Sequence, residues 1–288
     1  ALPICREYTD SQTYLTVTQE AQKSRLFSFD GRKWRDFLVK IRKVQDQLKD
    51  AGVRAEFLTK EDASEYIDRY FAMDFTHKTL SMNNFKVDEE CVRMGDRKCK
   101  IFSLVDVDSI NLPSLVRPFA NIEVNNTQMP VDVMAAIDQI PEARTVVYNQ
   151  MIFIPNQKRE LALLEKKKNR HASIPNPGNQ MAVEDIKQVQ EVMAREGKQL
   201  VYTHYNLVVC CDSDADLQKP TNHLENTFGR MGVHISKRAY NQLELFVNSF
   251  PGNCYGMSAE YDRFLTLGDA AACLMYKEKI QHSEIGRA

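Results

Sequence analysis

The side chains able to hold a metal, attack a carbonyl or grip a phosphate are few in this 288-residue chain and poorly spaced for any of those tasks. The six histidines, His77, His171, His204, His223, His234 and His282, match neither a His-Glu-x-x-His helix nor a compact cluster, so no metal ligand is assigned. The seven cysteines, Cys5, Cys91, Cys99, Cys210, Cys211, Cys254 and Cys273, contain no Cys-x-x-Cys pair of the kind that binds zinc or cycles redox states. Cys210 and Cys211 close an apolar run and read as buried reduced thiols. Cys254 lacks a local histidine to activate it. No glycine-flanked serine anchors a Ser-His-Asp hydrolase.

Triphosphate chemistry needs a glycine-rich loop ending in Gly-Lys-Ser or Gly-Lys-Thr, whose bare amides wrap the phosphates while the hydroxyl holds magnesium. The Gly-Lys pair at Gly197-Lys198 is followed by Gln199 and reads as a helix end. Two apolar runs finish in acids, Asp106 and Asp212, as a magnesium-holding strand would. Acids after strands are also ordinary turn residues. No catalytic, cofactor-binding or metal residue is therefore assigned. Charge is more informative. Arg32, Lys33, Arg35, Lys40, Arg42 and Lys43 make one basic cluster, and Lys166, Lys167, Lys168 and Arg170 a second at a helix end. These ten side chains are the candidate partner contacts. They suit an acidic protein, phospholipid head groups or DNA, each with steep salt dependence.

The elements that position these residues follow from periodicity. Trp34, Phe37, Leu38, Ile41, Val44 and Leu48 recur at helical spacing until Gly52. Tyr14 to Thr18 and Val53 to Leu58 read as strands. Thr59 and Asp62 resemble a capping box that starts a second helix through Ala63, Tyr66, Ile67, Tyr70 and Phe71. A hairpin turns near Gly95 and Asp96. Pro113, Pro118 and Pro130 mark a boundary, so the expected division is a subdomain over 1–112 and a second over 113–288. The second half reads as a short helix over 131–140, a strand over 145–154, a helical hairpin over 156–197 (helices 156–170 and 183–196), a strand over 200–211, a helix over 217–231, a strand over 233–237 and a helix over 240–250. Strands interleaved with helices predict an α+β (mixed α/β) fold, its sheets covered by helices.

Composition agrees with a folded chain: 43% hydrophobic, 27% charged, net charge −1. Those values disfavour global disorder and a whole-chain polyanion binder. The longest apolar runs fall far short of the roughly 20 residues a spanning helix needs. The opening Ala-Leu-Pro-Ile-Cys-Arg has neither an initiating Met nor a signal-peptide pattern, which suggests part of a longer protein.

Three segments carry a resemblance: Asn169-Arg-His-Ala-Ser-Ile-Pro-Asn-Pro-Gly-Asn-Gln-Met-Ala-Val-Glu-Asp-Ile-Lys187, Asn222-His-Leu-Glu-Asn-Thr-Phe-Gly-Arg-Met-Gly232 and Leu243-Glu-Leu-Phe-Val-Asn-Ser-Phe-Pro-Gly-Asn253. With Gly31 to Arg42 and Asn156 to Leu164 they resemble TraG of conjugative transposons, within the type IV secretion ATPases of the CagE, TrbE and VirB group. The likeness runs from about Tyr8 to Glu284; Ile285 to Ala288 fit it poorly. It implies a non-catalytic N-terminal module of a DNA-transfer motor, cytoplasmic and peripheral to a bacterial inner membrane. Its implied partners are the secretion channel proteins, its own motor domain and neighbouring subunits. ATP and magnesium are implied for that motor domain, and no cofactor for these residues. A nucleic-acid-binding module guiding transferred DNA is the alternative.

Overall fold

A computed structural model describes residues 13–19, 30–76, 84–95, 97–104, 120–124, 127–131, 137, 140–212, 217–230, 233–236, 240–253, 256–257 and 262–272. The fold is α+β, with seven helices and eight strands among those residues. The chain divides into two compact units. One comprises Ala1–Met82 with Phe250–Asn253, and the other Asn83–Ser249 with Cys254–Ala288. The expected subdomain boundary at 112/113 lies outside the described residues.

The smaller unit is built on two helices, α1 (Gly31–Asp50) and α2 (Lys60–Ala72). Asp30 caps α1 by accepting from the amides of Arg32 and Lys33. The helix stops in a Schellman arrangement: the Gly52 amide donates to Lys49 and that of Val53 to Leu48, with Gly52 at φ 81°. Val53 is thus spent on ending a helix. The strands expected at 53–58 and 14–18 do not form; both stretches lie outside any ladder, because extended backbone becomes a strand only where a neighbour accepts its hydrogen bonds. The capping box at α2 is complete: the Asp62 amide donates to Thr59 Oγ1 at 3.1 Å and the Thr59 amide to Asp62 Oδ2 at 3.1 Å. The Thr59 hydroxyl, donating to Asp62 Oδ2 at 2.7 Å, and then the Thr59 amide hold the Asp62 carboxyl below the usual carboxylate range.

This unit has an aromatic centre. Tyr66 lies about one helical turn before the adjacent Tyr70 and Phe71 on α2, and Phe250 sits against all three rings at 5.4–6.2 Å. A tight turn delivers Phe250: the Asn253 amide bonds the Phe250 carbonyl at 3.0 Å, Pro251 starts the turn and Gly252 takes φ 88°. Tyr14 adds a fifth ring, 4.5 Å from Tyr66. Burial, and then Tyr14, push the Tyr66 phenol up to about 12.

The larger unit is an antiparallel sheet. Its strands are β1 (Phe85–Val87), β2 (Val92–Met94), β3 (Arg97–Leu104), β6 (Ala143–Phe153), β7 (Leu200–Cys211) and β8 (Phe264–Leu267), in the order β1-β2-β3-β7-β6 with β8 on the first four residues of β7. Strands β4 (Ala120–Val124) and β5 (Thr127–Val131) form a separate hairpin where the prolines mark only a boundary. β7 is central and buried along nearly its whole length, with its bounds where the sequence places them. Its odd residues Tyr205, Leu207 and Val209 join Phe102 beneath Leu224 and Phe228 of α5 (Gln218–Arg230). The other face receives α6 (Gln242–Asn248), whose Phe246 ring meets Phe85 at 5.8 Å.

β7 would leave its backbone exposed beyond the ends of its neighbours, and so would β3; two glutamines prevent this. Gln242 donates to the Ile101 carbonyl at 3.1 Å and accepts from the Ile101 amide at 2.8 Å, completing the β3 edge between β2 and a bridge to Ser236. Gln157 does the same for Leu200, at 2.9 Å in both directions. A primary amide has a strand neighbour's donor and acceptor on one group, so it substitutes for a missing strand. Of the strand expected over 233–237, only the isolated bridge residues Val233 and Ser236 form among its described residues, and the 240–250 helix shortens to α6.

The helical hairpin exists as α3 (Gln157–Ala172) and α4 (Pro177–Glu196). α4 begins six residues before the expected start at 183. Asn176 is its N-cap, accepting from the Asn179 amide at 2.8 Å, and Pro177 opens the helix, where its missing N–H costs nothing. Gly197, at φ 66°, ends it. The short helix expected over 131–140 falls mostly outside the described residues. β8 and the short α7 (Gly268–Ala272) have no counterpart among the sequence expectations.

Candidate interaction surfaces

The two basic clusters occupy different settings. On α1, all 20 residues escape full burial, and the apolar residues Trp34, Leu38 and Val39 are exposed at 49%, 36% and 52%. Exposed large apolar residues continue at Val53, Phe57 and Leu58. That segment is tied to α1 by the Gln45 side chain, which donates to the Ala55 carbonyl at 3.2 Å. Arg32, Lys33, Arg35, Lys40, Arg42 and Lys43 are all exposed on this helix. Lys40 Nζ donates to Gln19 at 2.9 Å, and Arg35 Nε to the Gly31 carbonyl at 3.2 Å.

On α3 the second cluster splits. Lys166, Lys167 and Arg170 are exposed, whereas Lys168 turns into the hairpin seam, 2.6 Å from Glu165 and 3.1 Å from Gln190. Lys168 and Gln190 together hold the Glu165 carboxyl below its ordinary range. At the hairpin tip, His171 Nδ1 lies 2.7 Å from Asn179 Oδ1. The described part of this cluster is therefore three free-standing cations and one seam residue.

The sheet also contains a polar chain that spacing in the sequence does not reveal. Asn149 Nδ2 donates to Asn206 Oδ1 at 2.9 Å, and Asn206 Nδ2 lies 3.0 Å from His204 Nε2. His204 Nδ1 lies 2.6 Å from the Asp262 carbonyl. An acceptor carbonyl at Nδ1 and a donor amide at Nε2 assign the neutral Nδ1–H imidazole. His204 and Asn206 are fully or almost fully buried. The only legible signal is a polar i, i+2 pair inside an otherwise apolar strand. The chain ties β6 and β7 to the segment before β8, which is a structural task.

Among the described residues, Cys99, Asp212 and Lys198 are engaged in packing or ion pairs, while Cys5, Cys254, Cys273, His77 and His282 lie outside them. Cys99 lies opposite Cys210 across β3 and β7, and burial, aided by Cys210 and Cys211, drives its thiol well above the usual value. A thiol held protonated is a poor nucleophile. Asp212 forms an ion pair with Arg144 at 3.1 Å, and Asp106 lies outside the described residues. Lys198, after the Gly197 cap, pairs with Glu196 and Asp269, which raise its pKa. Among the described residues no group of three or more His, Cys, Asp or Glu could hold a metal ion, and no helix is long and apolar enough to cross a membrane.

The sequence matches the family described as TraC protein over residues 38–254, from the middle of α1 to the turn that carries Phe250. The chain belongs to the TraC family. No curated protein matches it. TraC membership makes the chain a conjugative-transfer component related to type IV secretion. The matched span takes in both helices of the hairpin, the central strands and the Phe250 turn, but leaves Arg32, Lys33 and Arg35 of the α1 cluster outside it.

Proposed function

We propose that this TraC-family chain is a non-catalytic N-terminal module of a conjugative-transfer motor ATPase, close to TraG of conjugative transposons. In this reading it docks the motor to the DNA-transfer channel at a bacterial inner membrane and contacts neighbouring subunits, from a cytoplasmic position peripheral to that membrane. ATP and magnesium belong to the motor domain of the parent protein. The observation that supports docking is α1: a 20-residue amphipathic helix with no buried residue, on which Trp34, Leu38 and Val39 are exposed beside a row of cations. Apolar surface of that kind on a folded protein marks an interaction site.

Photo-crosslinking from position 38 in cells carrying out conjugation tests the reading. Capture of a channel component or a neighbouring subunit is expected, together with ATP hydrolysis by the purified chain no faster than background. Turnover that survives repurification and disappears in Asp212→Asn would overturn the non-catalytic assignment.

The exposed cations of α1 and of Lys166, Lys167 and Arg170 favour a second reading, a module that guides transferred DNA. A net charge of −1 weighs against it. Titration of labelled single-stranded DNA at low and high salt decides, because phosphate contacts weaken steeply with salt.

A further inference from the structure

The arrangement of charge around the α1 stripe identifies what that helix meets. Trp34, Ile41 and Leu48 recur every seven residues, with Phe37, Leu38 and Val44 filling the same side. The residue before each of the first two is a lysine, Lys33 and Lys40. The residue after each of the three is basic, Arg35, Arg42 and Lys49. Cations thus border the apolar stripe on both flanks. The helix acids, Asp36, Asp46 and Asp50, lie on the opposite side with Arg32 and Lys43.

We propose that α1 lies in the plane of an anionic lipid surface, Trp34 and Leu38 entering the acyl boundary while Lys33, Lys40, Arg35 and Arg42 reach the head groups. This deepens the docking reading and rests on it. Three features favour this occupant. An aromatic and aliphatic stripe with long cationic side chains on both flanks is the pattern of an interfacial helix, because the stems lie along the apolar boundary while the charged ends meet phosphate. Of the stripe, Trp34 and Leu38, both in the N-terminal half, are exposed, while Phe37, Ile41, Val44 and Leu48 are half-buried, the last two near the Gln45–Ala55 tie. A second copy of α1 is a poor occupant, since pairing along the same stripe would set lysine and arginine against lysine and arginine. The seven-residue pattern also spans fewer than the three or four repeats that a coiled coil requires.

Trp34 is the single tryptophan of the chain, so its emission reports on this helix alone. The full 288-residue chain is mixed with vesicles of phosphatidylcholine, with and without roughly one-third phosphatidylglycerol. A blue shift is expected with the anionic vesicles only, reversed as salt rises from ~0.05 M to ~0.5 M. Lys33→Gln with Arg42→Gln is expected to weaken binding ~25-fold, about fivefold per cation. Leu38→Gln is expected to weaken it at least ~10-fold by removing one apolar contact. Trp34→Phe keeps co-sedimentation while removing the signal. All these positions are exposed, and circular dichroism confirms that each variant folds.

Emission unmoved by anionic vesicles at low salt overturns the proposal, as does co-sedimentation without a Trp34 shift. A shift produced by single-stranded DNA and not by vesicles overturns it in favour of nucleic acid. Protein crosslinks from position 38 without lipid binding overturn the lipid assignment and leave docking standing. Lipid binding lost in Leu38→Gln while conjugation continues at its normal rate sustains the lipid assignment and removes the docking reading.

Discussion

The two units spend their apolar residues differently. In the sheet unit, β7 is buried on both faces and its backbone groups find partners even where a neighbouring strand ends. In the helical unit, α1 has no buried residue, and the main described packing is the aromatic group of Tyr66, Tyr70, Phe71 and Phe250. The difference lies in where apolar area is used: along β7 it is spent within the chain, whereas part of it on α1 stays exposed, and the docking proposal rests on that exposed part.

The largest break in that contrast is expected at Gln242. Gln242→Ala leaves the buried Ile101 amide and carbonyl without their partner, which costs about 2–6 kcal/mol at 1–3 kcal/mol per group. Urea unfolding of the sheet unit, followed by hydrogen exchange with mass spectrometry, reads it. Gln157→Ala is expected to cost less, because its bonds to Leu200 are only part-buried. Equal costs would mean that burial does not set the worth of these amide clamps.

Next comes Phe250→Ala, expected to destabilise the helical unit by about 3 kcal/mol, the low end for an aromatic truncation because the ring is half-buried. Exchange protection should fall in α2 and stay unchanged in β7. A uniform loss across both units would show that they unfold together. Smaller still, Thr59→Ala removes the capping box and is expected to cost ~1 kcal/mol in α2. Thr59 holds the Asp62 pKa down, so its contribution is present above the ordinary carboxylate pKa and fades as pH falls. Helicity measured against acid pH should therefore fade less steeply in the variant.

The smallest effect is confined to alkali. Tyr66 titrates near 10.0 when unfolded and about 12 when folded, so the folded state holds its proton longer. Its stabilising contribution is complete below pH 10 and declines as pH rises from there toward 12. Tyr66→Phe should flatten that decline in the helical unit, and an unchanged alkaline profile would place the sensitivity elsewhere.

Much of this was legible without coordinates, for a local reason. The α1 stripe, the Thr59–Asp62 box, the limits of β7 and the Gly197 stop are all encoded within a few residues of where they act. The misses share the opposite property. Val53 to Leu58 has strand-forming residues but no partner, and its first residue terminates α1. β4 and β5 have no counterpart among the expected elements, and they pair across a stretch whose prolines mark only a boundary. Asn176-Pro177 resembles a loop in composition and serves as a cap and first turn. Of the candidate contacts, the α1 cations were readable as a cluster, but the inward turn of Lys168 depends on Gln190, across the hairpin on α4, as well as on Glu165 one turn earlier on α3.

What the sequence determined by itself is therefore the α+β class, the Gly52 stop of α1, the Thr59 start of α2 and the Gly197 stop of α4, and the position of charge relative to the α1 stripe. These follow from backbone sterics and from periodicities of 3.6 and 2 residues, which need no distant partner. Only the tertiary structure decided which strands pair, that Gln242 would complete Ile101 from 141 residues away, that Phe250 would join the rings of α2, and that α1 would contain no fully buried residue. Those outcomes depend on which groups meet after the chain folds back on itself, and a hydrogen bond or a buried ring has no local signature until its partner arrives.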